Sequence, residues 1–298
     1  MLPVSASFAK SPTIEDGVLL VGTDSSFAPF EFLAEDGLNF TGFDMDLIRA
    51  IGKELGYKVV VQNMGFDATV PALRTGIVDA VIAGMTINEK RKKFVDFSDP
   101  YYTSGLIIMV PSSDTTTKSI KDLEGKKLIV VKGTTAETYF TDNYPDIELV
   151  KFDEYQEAYD ALLDGRGDAF STDNTEVLAW AQQNEGFSVG IESLGDIDTI
   201  APAVQKGNTD LLNAINDEIK SLADEQFFHK DFEETLKPVY GDNINPDDLV
   251  VEGGVVDSEE KAEDADAAAT EDSDAASDDT KDAETTEEPE ETEAADAE

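Results

Sequence analysis

The stretch ALRTGIVDAVIAG at 72–84 returns, altered in detail, as ALLDGRGDAFSTD at 161–173. Both follow Ala-Leu-x-x-Gly-x-x-Asp-Ala, then a short run and a stop. In each copy the pattern predicts a helix ending at glycine, Gly76 or Gly165, where a residue without Cβ takes the left-handed conformation easily. A short strand is expected to begin near Asp79 and near Asp168. Strand ends then face the same way in both units, and open α/β sheets bind ligands beyond the carboxyl ends of their strands. Two such units far apart in one chain predict two α/β lobes that offer strand ends to a shared cleft. A coincidence of a common α/β spacing fits the same letters. The first copy stops on Gly84 and the second on Asp173.

The flanking sequence alternates in the same way. Apolar β-branched runs at 18–23, 58–62, 79–84, 106–110, 127–131, 147–152 and 168–172 read as strands. Between them, FDMDLIRAIGKELGY spaces Phe43, Leu47, Ile51 and Leu55 four apart, on one face of a helix stopped by Gly56. The alternation predicts an α/β protein with mainly parallel sheets. DPYYTSG (99–105) and SLGDIDTIAP (193–202) lack either period and read as two crossings between lobes, the usual basis of hinge closure. After them, 208–241 reads as two amphipathic helices, with Leu212, Ile215, Ile219 and Leu222 on one face.

Composition narrows the function. The chain of 298 residues carries a formal charge of -43. From Val251 onward 21 acids meet 2 bases, yet the first 250 residues remain strongly negative as well. Such a surface repels phosphate backbones, so no nucleic-acid partner is expected. With no cysteine and only His229, thiol catalysis, disulfides and multi-histidine metal sites are excluded. His229 reads as an ordinary helix-surface residue. No run is apolar enough to span a bilayer, and the start does not read as a secretory leader. The Glu/Asp/Ala/Thr/Ser segment from about Ser258 lacks the apolar side chains to fold and reads as a disordered, solubilising tail.

Four groups of residues carry candidate chemistry. In GMTINEKRKKF, Gly84, Met85 and Thr86 leave a strand, and Asn88 can cap a short helix bearing Arg91. Helix-start amides with an arginine fork make a carboxylate site, although a solvated basic run has the same letters. Asp173 stands where the first copy has Gly84 and could pair with an ammonium; with Glu176 it also fits a helix cap. Asp24 and Phe27 follow the first strand and Phe66 follows another. The two rings could sandwich an aliphatic stem whose tip donates to Asp24, or could be core aromatics beside a turn aspartate. Thr134 and Thr135 enter a helix after Gly133, as carboxylate contacts or as a simple cap. Together these groups describe a site for a free α-amino acid.

The motifs VGTDSSFAPFEF, GFDMDLIRAIGKELG, FDATVPALRTGIVDAVIAGMTINEKRKKFVDFSDPYY, DLEGKKLIVVKGTTAETY and TDN occur in this order over roughly residues 16–240. The chain resembles the polar amino-acid-binding proteins of ABC importers, the bacterial extracellular solute-binding proteins of family 3. The resemblance implies a two-lobed, periplasmic-binding-protein-like α/β fold of type II with a two-strand hinge; the acidic disordered C-terminal tail lies outside it. The expected plan is a flexible segment at 1–15, a first lobe from 16–104 and 197–245, a second lobe from 105–196, and the tail at 246–298. It implies Arg91 on the ligand carboxylate, Gly84, Met85 and Thr86 beside it, Thr134 and Thr135 from the second lobe, and Asp173 on the ammonium. Asp24, Phe27 and Phe66 would surround the side chain. Two departures are visible. TIAPAV (199–204) stands where the family usually has Tyr-Gly-Ile-Ala-Val, and the lipid-anchoring cysteine common in Gram-positive members is missing.

The resemblance implies no enzyme, no metal and no cofactor. It implies a monomer outside the cytoplasmic membrane or at the cell surface that delivers an amino acid to an ABC permease. Asp24 would repel a side-chain carboxylate, which favours glutamine. Arginine, lysine, histidine or glutamate are the alternatives, and a small-substrate lyase or a sensor on the same fold is a more distant one.

Overall fold

The computed structural model describes residues 12–252 except 243. The chain begins with β1 (Val18–Thr23), followed by a small antiparallel trio, β2 (Ser26–Phe27), β3 (Glu31–Leu33) and β4 (Phe40–Thr41). Then come α1 (Phe43–Glu54), β5 (Lys58–Asn63), α2 (Phe66–Thr75), β6 (Ala80–Val81), α3 (Glu89–Lys92) and β7 (Val95–Phe97). The long β8 (Tyr102–Pro111) leads to β9 (Lys127–Val131), α4 (Thr135–Asn143), β10 (Glu148–Phe152), α5 (Tyr155–Leu163), β11 (Ala169–Asp173) and α6 (Asn174–Gln183). The chain returns through β12 (Phe187–Ile200) to β13 (Ala203–Gln205), α7 (Thr209–Asp224), α8 (Phe227–Asp231) and α9 (Lys237–Tyr240).

Two five-stranded sheets form among the described residues, in the orders β5-β1-β6-β13-β7 and β10-β9-β11-β8-β12. The fold is a two-lobed α/β fold of the periplasmic-binding-protein type. Each sheet has a parallel half, β5-β1-β6 or β10-β9-β11, as the alternation predicts. Its other half is antiparallel, so the sheets are mixed rather than mainly parallel. The reason lies in the connections. A parallel neighbour needs a crossover helix, whereas β8 and β13 arrive directly from the other sheet.

The sequence repeat is a structural repeat. Gly76 and Gly165 have φ of 69° and 68°. The amide after each glycine returns to the template alanine, Ile77 to Ala72 at 2.9 Å and Arg166 to Ala161 at 2.8 Å. The template aspartate then aligns the neighbouring strand. Asp79 accepts from the Leu20 amide of β1, and Asp168 accepts from the Lys127 amide of β9. Each copy therefore sets a parallel strand pair in register and points its carboxyl end toward the other lobe.

Helix α1 buries Phe43, Leu47 and Ile51, as its four-residue spacing requires. Helix α7 buries Leu211, Ile215, Ile219 and Leu222. Leu212, expected on that face, is only half-buried, because one residue along a helix turns the side chain away by about 100°. The second amphipathic helix is broken by a π turn at Phe232–Leu236, just before Pro238, whose missing N–H disrupts the regular ladder.

The two presumed interruptions are strands. Tyr102, Thr103 and Ser104 pair with Ile200, Thr199 and Asp198, so 102–104 and 198–200 form the two-strand hinge. Glycine, aspartate and a register irregularity hide the strand period in the letters. The ordered body also extends beyond both expected ends. Ile14 N–H donates to Asp79, and Pro12 accepts from Asn208, so 12–15 is fastened. The Pro246–Asp248 turn leads to Val250, which pairs with Tyr102. The expected flexible start at 1–11 and the disorder of the tail at 253–298 lie outside the described residues.

Candidate functional site

The carboxyl ends of β1, β6, β9 and β11 supply the site. Helix α3 is short, and its start is fixed by Asn88, whose side chain accepts from the Arg91 amide at 2.9 Å. That cap directs Arg91 inward, where the residue is 9% exposed. One guanidinium nitrogen donates to the Thr86 carbonyl at 2.8 Å, and another donates to the Gly133 carbonyl of the second lobe at 3.1 Å. The guanidinium carbon lies 5.0 Å from the centre of the Phe66 ring, a cation–π arrangement. The basic run therefore splits: Arg91 is buried, and its neighbours Lys90, Lys92 and Lys93 are exposed.

Asp173 ends β11 and occupies the cap position of α6, yet its side chain makes no cap hydrogen bond. The carboxylate is buried, and the charge of Arg91 favours its ionised form. Burial raises Asp173 to about 6, opposed by Arg91 and by the neighbouring Ser104 hydroxyl. Burial lowers Arg91 to about 10, opposed first by Asp173, so the guanidinium stays charged at neutral pH. A buried cation and a buried anion thus stand at one site, supplied by different sheets.

The Gly84 turn has a support that the sequence reading did not name. Asp44, in the first turn of α1, accepts from the Gly84 amide at 2.9 Å and from the Tyr101 hydroxyl. Gly84 has φ of 52°, and a Cβ there would stand 2.7 Å from Phe27. The bare backbone is required by the ring that packs on it. Its amide is already engaged. Met85 is fully buried in a cluster with Val81, Val95 and Ala203, and its carbonyl accepts from the Ala201 amide. The Thr134 hydroxyl is also committed, donating to the Val131 carbonyl and accepting from the Glu137 amide as the cap of α4. Thr135, the first residue of α4, keeps its hydroxyl unengaged among the described residues.

The side-chain end is built differently from expectation. Phe27 and Phe66 do not face each other. Phe66 lies under Arg91, and the partner of Phe27 is Tyr155, at 4.9 Å between ring centres. Tyr155 begins α5, and its amide donates to the Ser26 hydroxyl across the cleft at 3.2 Å. Asp24 accepts from the Ser26 amide and hydroxyl and from the Phe66 amide, so it holds the loop after β1 to the start of α2. Burial raises its pKa, partly offset by those donors. Tyr155 was missed because it reads as an ordinary amphipathic-helix residue. Glu31 was not anticipated, and Glu176 was read only as part of a helix cap. Both are buried, and burial pushes both carboxyls well above the usual carboxylate range. Their signal was weak: acids in segments otherwise destined for the interior.

With this geometry in view, the family comparison is decisive. The model of the bacterial extracellular solute-binding proteins, family 3, matches residues 19–233. The chain belongs to that family. Among solved structures, a cysteine-binding protein from Campylobacter jejuni is 41% identical, covering 79% of this chain and 96% of its own, with a TM-score of 0.77. ABC transporter arginine-binding protein 1 of Escherichia coli K12 is 30% identical over 70% of this chain and 86% of its own. The ABC transporter glutamine-binding protein GlnH of Bacillus subtilis 168 is 32% identical over 66% and 72% respectively. These relatives are binding proteins rather than enzymes. Among the described residues no helix is long and apolar enough to cross a membrane, and no group of three or more metal-ligating side chains is present.

Proposed function

We propose that this chain is an extracytoplasmic receptor that captures a free L-amino acid between its lobes and presents it to an ABC permease. The observation that carries the reading is a buried Arg91 that spans from Thr86 to Gly133, with a buried, uncapped Asp173 near enough for each to favour the charged form of the other. Arg91 takes the α-carboxylate, helped by the Thr135 hydroxyl and the start of α4, and Asp173 takes the α-ammonium. Gly84, Thr86 and Thr134 shape the backbone end, and Asp24, Phe27 and Phe66 line or support the side-chain end. Residues 16–104 and 197–245 form one moving lobe and 105–196 the other. Closure on the ligand shields both ion pairs from water, which strengthens them.

The side chain is compact and uncharged, of the size of cysteine. Tyr155 packs on the Phe27 ring expected to take a side-chain stem, and Asp24 already accepts three hydrogen bonds. The broad coverage of the cysteine-binding relative supports this choice. Glutamine is the second reading, because a carboxylate can accept one more donor and the GlnH match is extensive. The test is thermal shift with the common amino acids, then calorimetry. Reductant is harmless, since the chain has no cysteine. Stabilisation by L-cysteine is expected. Stabilisation by L-glutamine or L-arginine alone would overturn the side-chain choice, and a response to no amino acid would overturn the receptor reading.

A further inference from the structure

The hinge carries a third backbone segment, joined to it by a single β-bridge between Tyr102 and Val250. Beyond α9 the chain turns at Pro246–Asp248 and lies along the outer edge of the first hinge strand. Thr103 N–H donates to the Leu249 carbonyl at 2.7 Å, and Val251 N–H donates to the Tyr101 carbonyl at 2.9 Å. The same stretch of β8 pairs on its other edge with Thr199 and Ile200. Tyr101 to Thr103 is therefore held from both sides. Tyr101, Tyr102, Ile200, Val250 and Val251 are all buried there.

This segment is fastened to α8. On α8, His229 contacts Glu252 through Nδ1 and Asp247 through Nε2, the latter at 2.8 Å. The histidine thus pins both ends of the segment, with Lys230 and Glu233 around the same cavity.

The opposite end of the hinge is loose. Leu194 pairs with Leu106 and Asp198 with Ser104, so three intervening residues face one, and the ladder is broken. Both strands carry glycine here, Gly105 and Gly195, the latter with φ of 74°. The Gly105 amide donates to the Asn174 side chain rather than to β12. Gly195, Asp196 and Ile197 are exposed, and the first two border an open cavity of about 410 Å³.

We propose that the segment 249–252 is a clamp on the hinge, so that the lobes pivot at Gly105 and Gly195–Ile197 and not at the family-divergent Thr199–Val204. Opening bends the irregular, exposed part of the ladder and leaves the part held on both edges rigid. Bending follows this path because a bulge with glycines absorbs backbone rotation at little cost. The part held on both edges would have to break hydrogen bonds on each.

The inference rests on the proposed closure, and the test separates the two. Amide hydrogen exchange is measured on the full chain, free and with saturating L-cysteine, or L-glutamine if that alone stabilises it. Ligand is expected to slow exchange at Gly105 and 195–197 by about ten-fold or more and to leave Thr103 and Val251 unchanged. In the free chain, the variant His229→Gln with Glu252→Gln is expected to speed exchange at Thr103 and Val251 about ten-fold. Equal slowing at Thr103 and Gly195 on binding would overturn the pivot. No change at Thr103 in the variant would overturn the clamp. If no amino acid binds, the receptor reading fails while the free-chain comparison still decides the clamp.

Discussion

Arg91 reaches across the cleft and donates to the carbonyl of Gly133 at 3.1 Å. One side chain thus bridges the lobes at the point proposed for a ligand carboxylate. Gly133 tolerates this approach because it has no Cβ. A methyl there would lie 2.9 Å from the Asp67 Cα at the start of α2, and its φ is 77°.

Gly133→Ala therefore obstructs closure more than folding. The backbone cost is about 1 kcal/mol, seen as a small fall in melting temperature. Amino-acid affinity, measured by calorimetry, should fall well beyond what that small loss implies. A variant with wild-type affinity would show that the lobes do not approach through this contact.

Arg91→Ala should cost about 2–5 kcal/mol of binding, because the ligand carboxylate loses a buried, charged partner. Arg91→Lys should recover only part of it, since an ammonium cannot reach two acceptors in a fixed fork. Calorimetry on both variants orders them. Equal affinities for Lys and Ala variants would mean that charge alone is insufficient at this position.

Gly84→Ala and Gly165→Ala place the same strain in the two copies of the repeat. Both glycines have positive φ, so each substitution costs about 1 kcal/mol or more. At Gly165 nothing lies within 4 Å, whereas at Gly84 the methyl meets Phe27. Denaturant melts should show the larger loss at Gly84, and only that variant should weaken amino-acid binding.

The pH dependence has a definite sign. Asp173 must be ionised to hold an ammonium, and in the free chain burial places it at about 6. Affinity should therefore fall as pH drops below about 6, and Asp173→Asn should bind weakly with a flattened profile. Stability of the free chain runs the other way. A carboxyl raised above its unfolded value of 3.8 favours folding when protonated, so its contribution is lost as pH rises from about 4 through 6. Chemical melts at pH 4.5 and pH 7, in wild type and Asp173→Asn, isolate that contribution. A wild-type advantage at pH 7 over pH 4.5 that Asp173→Asn abolishes would contradict the sign.

Much of the candidate site was legible because its signals are local. Asn88 capping Arg91 and Thr134 capping α4 are interactions over three residues, so spacing alone announces them. The commitments of Asp24, Gly84 and Asp173 were not legible. Asp24 bonds to Phe66 across 42 positions and Gly84 to Asp44 across 40. Asp173 had the letters of a cap, and only packing buried its carboxylate uncapped within the influence of Arg91.

By itself the sequence determined the repeated helix–glycine–strand unit, the alternation that makes two α/β lobes, and the family. These follow from backbone conformations and periodicities that neighbouring residues enforce. Tertiary structure decided what faces what: Tyr155 against Phe27, Arg91 over Phe66, and Val250 beside the hinge. Those contacts join residues distant in the chain, and their energy comes from burial and charge that exist only after the lobes have packed.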